Sequence, residues 1–352
     1  MTVHSEHFRN EQLLLDLGNS LIVSDHPENK GGSGKGPMPG ELLKGALAAS
    51  AAIAMGKMAE KEDWPVSYIG VHVGSEITVE RRDGALTNIL TLSRFNLRAV
   101  IGGDLTPAQM KHLAQLALDC GIGRSLTQGI SIEERIQYEL VPAKWNPRAT
   151  TFLIEHMHNQ RPEGANAKVV PANETAQVFA EYIGAERALL KWSNTALLVD
   201  ESTLGANLSG GVRSEVLLLG ALAACTSVFT ARSAALTDAA AEIRVSCVGD
   251  MIAQSGETES MRMAAIVKTL EIRGVLTDKQ KEVMAQFANH CAIGESLKRR
   301  AIIDVSVDAL PKPAPDSSRL SDRTSAIKAA EEHIRSFDCD DGTCCIPAET
   351  VT

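Results

Sequence analysis

Two long alanine-rich segments dominate the apolar pattern of the chain, and each is followed by stretches that read as strands. EVLLLGALAACTSVFTARSAAL is apolar almost all the way round, which predicts a buried helix over about 214–237. PGELLKGALAASAAIAMGKMAE predicts its counterpart over about 39–62. An extended apolar segment precedes each helix: LLLDLGNSLIVSD in one case and ALLKWSNTALLVD in the other. A Gly- and Ser-rich loop separates segment from helix both times. Strands with hairpin punctuation, such as RRDG at 81–84, come next. A second helix then opens at DLTPAQ or VLTDKQ, with Thr106 or Thr277 at the N-cap and Pro107 at N1. Each second helix runs into a cysteine, Cys120 or Cys291, and a short strand closes the unit (GISIEERI, AIIDVSVD).

The pattern occurs twice because the sequence does. Gly45-Ala46-Leu47-Ala48-Ala49 returns as Gly220-Ala221-Leu222-Ala223-Ala224, in register with Asn19 on Asn194 and Val73-Gly74 on Val248-Gly249. A later block, four residues out of that register, sets Leu105-Thr106 on Leu276-Thr277, Cys120 on Cys291 and Ser125-Leu126 on Ser296-Leu297. The period is far too long for a solenoid repeat. A duplicated domain is the simplest reading: repeat 1 over 1–145, a polar linker over 146–165 and repeat 2 over 166–310. Residues 311–352 form a further linker and a tail containing Cys339, Cys344 and Cys345.

Composition narrows the function. With 352 residues, two domains are the natural expectation. A net charge of -9 and the lack of a basic stripe argue against nucleic acid as a partner. No uninterrupted apolar run reaches membrane-spanning length, and MTVHSEHFRN has no apolar core of a secretory signal, so no membrane partner is expected. Seven irregularly spaced cysteines do not make an extracellular disulfide framework, and a reducing cytoplasm is the expected setting.

The order of these features resembles the OsmC/Ohr family of thiol-dependent peroxidases and their relatives. The family pattern runs Pro-Glu-Glu-Leu-Leu, then small residues into a cysteine, and later Cys-Pro followed by a leucine. Here repeat 2 reads SEVLLLGALAAC and CAIGESL, and repeat 1 reads PGELLKGALAAS and CGIGRSL. The resemblance spans both repeats and leaves the tail out. It implies an α+β fold of two OsmC-like domains, each a curved antiparallel sheet packed on long central helices. Family members are intertwined homodimers with sites at the interface, so two fused copies imply a pseudo-dimer within one chain, with further homo-oligomerisation open.

The resemblance also implies roles. Cys225 is the thiol that attacks a peroxide, Cys291 resolves the sulfenic acid to a disulfide, and an external thiol or dithiol reduces it, with no bound cofactor. Glu215, ten residues before Cys225, is the motif carboxylate that pairs with an arginine beside the thiol. Neither matching loop holds that arginine, and Arg213 is the substitute candidate. Repeat 1 has Ser50 for the first cysteine and Gly40 for the glutamate, so Ser50 and Cys120 mark a relic site. Repeat 2 departs from the pattern at Ala292, where the family has proline.

The small organic substrate implied is a hydroperoxide. Two alternatives remain: a cysteine-dependent hydrolase or other carbon-electrophile enzyme using Cys225, with Glu215 or His290 moving protons, and a non-catalytic member that binds an apolar ligand. Cys247 reads as a core residue. His156 and His158 have no third ligand in sight, so no metal is expected. GGSGKGP, at 31–37, lacks the first glycine and the hydroxyl of a phosphate loop and reads as a flexible loop.

Overall fold

A computed structural model describes residues 2–9, 12–18, 20–28, 32–80, 88–140, 168–170, 178–192, 195–202, 211–254 and 260–310. The RRDG turn, His156, His158, the linker over 146–165 and the tail with Cys339, Cys344 and Cys345 lie outside the described residues.

In the first half, β1 (Thr2–Arg9), β2 (Gln12–Asp16) and β3 (Leu21–Ser24) precede α1 (Pro39–Lys61). The hairpin strands β4 (Val66–Glu80) and β5 (Ile89–Gly103) follow, then α2 (Pro107–Leu118), α3 (Gly121–Gln128) and β6 (Ser131–Glu139). The short β7 (Lys168–Val170) comes next. The second half then repeats the order: β8 (Val178–Gly184), β9 (Arg187–Trp192), β10 (Thr195–Asp200), α4 (Ser214–Leu236), β11 (Glu242–Gln254), β12 (Ser260–Arg273), α5 (Asp278–Asn289), α6 (Ala292–Lys298) and β13 (Ile302–Leu310). The fold is mixed α+β, with two sheets and six helices among the described residues.

Local chemistry accounts for the helix ends. Thr106 and Thr277 accept the Gln109 and Gln280 amides, and those glutamines reach back to the threonine amides, closing a capping box at the head of both α2 and α5. The Glu41 carboxylate takes the Met38 amide at 2.8 Å ahead of α1. The second helices end before the cysteines rather than at them. Cys120 and Cys291 are the N-caps of α3 and α6, where each sulfur accepts the amide of a glycine three residues on. That capping role is invisible to hydrophobic periodicity, because α3 and α6 are too short to show a period.

The sheets are where expectation and structure part. Each sheet is built from both halves. The first runs β3-β2-β1-β11-β12-β6, and the second β10-β9-β8-β4-β5-β13, with β7 on β4. Neither half owns a sheet, and neither sheet is wholly antiparallel: β6 lies parallel to β12, and β13 parallel to β5. The closing strand of each half does not join its own hairpin. It completes the other half's hairpin instead.

The helices α1 and α4 pack on one another. On their outer sides, α1 covers β8, β4 and β9 of the second sheet, and α4 covers β1, β11 and β2 of the first. Close approach needs glycine: a Cβ on Gly56 would stand 2.3 Å from the Tyr182 ring, and one on Gly45 would stand 2.7 Å from Leu190. Contrary to the sequence expectation, both long helices are apolar enough over a sufficient length to cross a membrane. Here that apolar surface is spent on the two sheets and on the helix pair.

The glycine-rich loop after β3 is also more organised than its composition implies. Asp25 is fully enclosed, and its carboxylate accepts from Ser33 Oγ at 2.7 Å, the Lys35 amide at 3.0 Å and Gln12 Nε2 at 3.1 Å. Burial pushes Asp25 upward, but the donors from Ser33, Lys35 and Gln12 outweigh it and hold the carboxyl below its usual range.

Candidate functional site

Two matching pockets of structure form where the middle of a long helix meets a short one. In the second half, Cys225 sits midway along α4 and its sulfur accepts the Ile293 amide, in the first turn of α6, at 3.4 Å. Cys291, the N-cap of α6, accepts the Gly294 amide at 3.4 Å and lies 3.3 Å from Thr226 Oγ1. The two sulfurs thus accept amides of adjacent residues in the first turn of α6, and both cysteines are free and buried. Cys225 keeps a 4% exposed edge, whereas Cys291 is fully enclosed.

The first half reproduces the arrangement with other atoms. Ser50 Oγ accepts the Ile122 amide at 3.5 Å, and Cys120 accepts the Gly123 amide at 3.3 Å. Ser50 stands in the place of Cys225 and Ala51 in that of Thr226.

The electrostatics of the two thiol sites diverge. Cys291 is held below the ordinary thiol range, first by the hydrogen bond from Cys225; burial opposes this, and the Lys268 ammonium, Thr226 and the Gly294 amide add to it. Cys225 is pushed well up by burial and by sharing its site with Cys291, against which the Ile293 amide and Arg232 pull the other way. Titration of two thiols that share a site belongs to the pair rather than to either residue. Cys120 goes up, to about 11: burial dominates over the Ser50 and Gly123 donors, and the Glu201 carboxylate adds to the rise. Burial likewise pushes Cys247, on β11, up to about 12, as expected of a core thiol.

The remaining sequence candidates fall elsewhere. Glu215 does not meet Cys225. Ten residues of helix separate them, a rise of about 15 Å. Instead Arg213 forks onto Glu215 through Nη2 at 2.9 Å and Nε at 3.3 Å at the head of α4. Ser214 Oγ donates to Glu201 beside them. Burial and the Glu215 charge lift Glu201 to about 7, with Ser214 and Arg213 opposing. The Glu201 charge also acts on Cys120, in the first half. His290 is the C-cap of α5, and its Nδ1 lies 3.2 Å from Glu295 Oε1 rather than against a sulfur.

Sequence reasoning missed Lys268, Thr226 and Arg232. Lys268 was visible as a cation directly after the apolar MAAIV run of β12, a position where a charge needs a reason. No three His, Cys, Asp or Glu side chains converge into a metal-holding group among the described residues.

The OsmC-like protein family matches residues 32–135. No curated protein gives a significant match. Two solved structures are similar to part of the chain. One, described only as a structural genomics target, is 21% identical over 36% of this chain and 90% of its own, with a TM-score of 0.29. The other, described as an osmotic stress induced and detoxification response protein from Psychrobacter arcticus 273-4, is 19% identical over 36% of this chain and 88% of its own, with a TM-score of 0.27.

Proposed function

We propose that this chain is a thiol-dependent peroxidase of the OsmC/Ohr type, which reduces organic hydroperoxides at the Cys225–Cys291 pair. The observation that carries the reading is that two buried free thiols, Cys225 and Cys291, accept the adjacent Ile293 and Gly294 amides in the first turn of α6. The family match to the first half and the exchange of strands between halves support a chain that supplies both parts of an OsmC-type dimer, as a tandem duplication would.

The chemistry balances within the pair. The sulfur of Cys225, the residue of the pair that is not fully enclosed, attacks the outer peroxide oxygen; an S–O bond forms and the O–O bond breaks. The alkoxide leaves and takes a proton from solvent, becoming the alcohol. Cys291 then displaces hydroxide from the sulfenic acid, forming the S–S bond, and the hydroxide departs as water. Two electrons pass from the thiols to the peroxide, and an external thiol or dithiol in a cytoplasmic setting returns them. On the Ser50 side no such cycle runs, because a hydroxyl forms no sulfenic acid. A hydrolytic role for Cys225 has less support, since Glu215 is a helix length away and His290 is engaged by Glu295.

The test is a mass spectrum of the reduced chain after one equivalent of an organic hydroperoxide. A Cys225–Cys291 disulfide, formed with release of one alcohol, is the expected result. In Cys291→Ser, about one turnover followed by oxygen added to Cys225 is expected, because an unresolved sulfenic acid over-oxidises. Steady turnover of Cys291→Ser with Cys225 unoxidised overturns the reading.

A further inference from the structure

The two sheets can be compared row by row, and one row breaks their likeness. In the second sheet, Val178 pairs with Val73, Val73 with Leu97, and Leu97 with Val305, an aliphatic row across the four strands β8, β4, β5 and β13. The same row of the first sheet runs Val3, Cys247, Lys268, Glu134, so the strand pairing puts Cys247, and not the Val248 of the sequence register, in the place of Val73. A thiol, an ammonium and a carboxylate replace three aliphatic side chains.

Lys268 is only 2% exposed. Its Nζ donates to the Ala288 carbonyl at 2.8 Å, three residues before Cys291, and to Glu134 Oε1 at 3.2 Å. Glu134 also takes Lys298 Nζ at 2.8 Å. A buried ion pair rarely repays its desolvation, and an aliphatic row of the second sheet's kind would hold the sheet at least as well. The pair therefore calls for a role other than stability.

Cys120 and Cys291 supply an internal comparison. Both are N-caps, and both accept a glycine amide at nearly one distance. Leu97 holds in the second sheet the place that Lys268 holds in the first. Cys120 is driven up by burial, whereas Cys291 is drawn down by the Cys225 hydrogen bond and by the Lys268 ammonium.

We propose that Lys268, held by Ala288 and Glu134, is a positioning residue that keeps the negative charge of the dithiol pair on Cys291. Cys225 then rests protonated at the exposed edge and hydrogen-bonded to a thiolate. As Cys225 attacks the peroxide, its proton passes to Cys291. That proton later leaves with the displaced hydroxide as water, so Cys291 acts first as base and then as resolving thiol. The proposal rests on the peroxidase reading for this last sequence, but the charge placement is a property of the resting protein. The charged and titratable groups around Cys291 are Cys225 on α4, Cys247 on β11, Lys268 on β12 and Glu134 on β6, together with His290, Glu295, Lys298 and Arg299 along its own segment, the last paired with Glu80.

The experiment is a pH titration of thiolate ultraviolet absorbance on the reduced full-length chain, with no peroxide present, so its outcome is independent of turnover. A thiolate step below the ordinary cysteine range is expected, and it disappears in Cys291→Ser. Lys268→Met moves the step up by about one unit or more, as removal of a nearby opposite charge requires. Glu134→Gln moves it down, because Lys268 loses its counter-charge, and Lys268→Arg leaves it near wild type. A merely structural role moves both neutralising variants in one direction. If Lys268→Met does not fold, the downward shift in Glu134→Gln decides. The proposal is overturned by the absence of a low step, by its loss in Cys225→Ser instead, by an unmoved step in Lys268→Met, or by an unmoved or raised one in Glu134→Gln.

Discussion

The Cys225 sulfur and the Ile293 amide stand 3.4 Å apart, tying the centre of α4 to the first turn of α6. Ser50 and Ile122 hold the same relation at 3.5 Å in the other half. The arrangement therefore recurs down to a single hydrogen bond, while the sulfur that accepts it does not.

Activity should follow the nucleophile. Cys225→Ser, which makes the second site resemble the first, is expected to abolish hydroperoxide consumption. Cys120→Ser is expected to leave it within about twofold of wild type, since surface or spectator changes cost little. Equal losses in a coupled peroxide-consumption assay would mean that Cys120 serves the dithiol across the helix pair.

Strand exchange predicts the behaviour of a half chain. Residues 1–145 alone would leave β1 without β11, β4 without β8 and β6 without β12. Such open edges pair with whatever strand is available. Light scattering of the isolated half should show self-association or aggregation, and coexpression with residues 166–310 should restore a soluble one-to-one complex. A folded monomer of the half would contradict the topology.

Helix-to-sheet packing can be probed at two glycines of α1. Gly56→Ala drives a methyl into the Tyr182 ring and should cost about 1–3 kcal/mol, as overpacking does. Nothing lies within 4 Å of a Cβ on Gly40, so Gly40→Ala should be neutral or should stabilise by about 0.5–1 kcal/mol. Chemical denaturation of the two variants measures the contrast. Equal stability in both would show that α1 does not press on β8 at Gly56.

Glu201 makes stability depend on pH. Its folded pKa is lifted to about 7 from an ordinary value of 4.5, so between those values the folded state binds more protons than the unfolded one. Stability then falls as pH rises through that window. Glu201→Gln mimics the protonated acid and should melt higher than wild type above neutrality. The difference should shrink as pH falls toward 4.5. A melting difference that does not change with pH would place the Glu201 titration elsewhere.

The electrostatic half of the site was partly legible in the sequence and partly misplaced. Glu215 and Arg213 do pair, because Arg213 is the extended N-cap of α4 and is not held to helical spacing. Their target was misassigned, because the rise along α4 carries them about 15 Å from the thiol that follows them in the chain.

What the sequence determined by itself is what local pattern encodes. An apolar alanine-rich stretch must bury itself, so α1 and α4 were evident, as were the capped starts of α2 and α5. The matching order of both halves marked Cys225 with Cys291, and Ser50 with Cys120, as the positions to compare. Tertiary structure alone decided which strands share a sheet, since alternation fixes the face a side chain takes but not its neighbour. Only that pairing sets Lys268 against Glu134 across 134 residues of chain and within electrostatic reach of Cys291, where low solvent exposure strengthens the pull of the ammonium that adds to the Cys225 hydrogen bond.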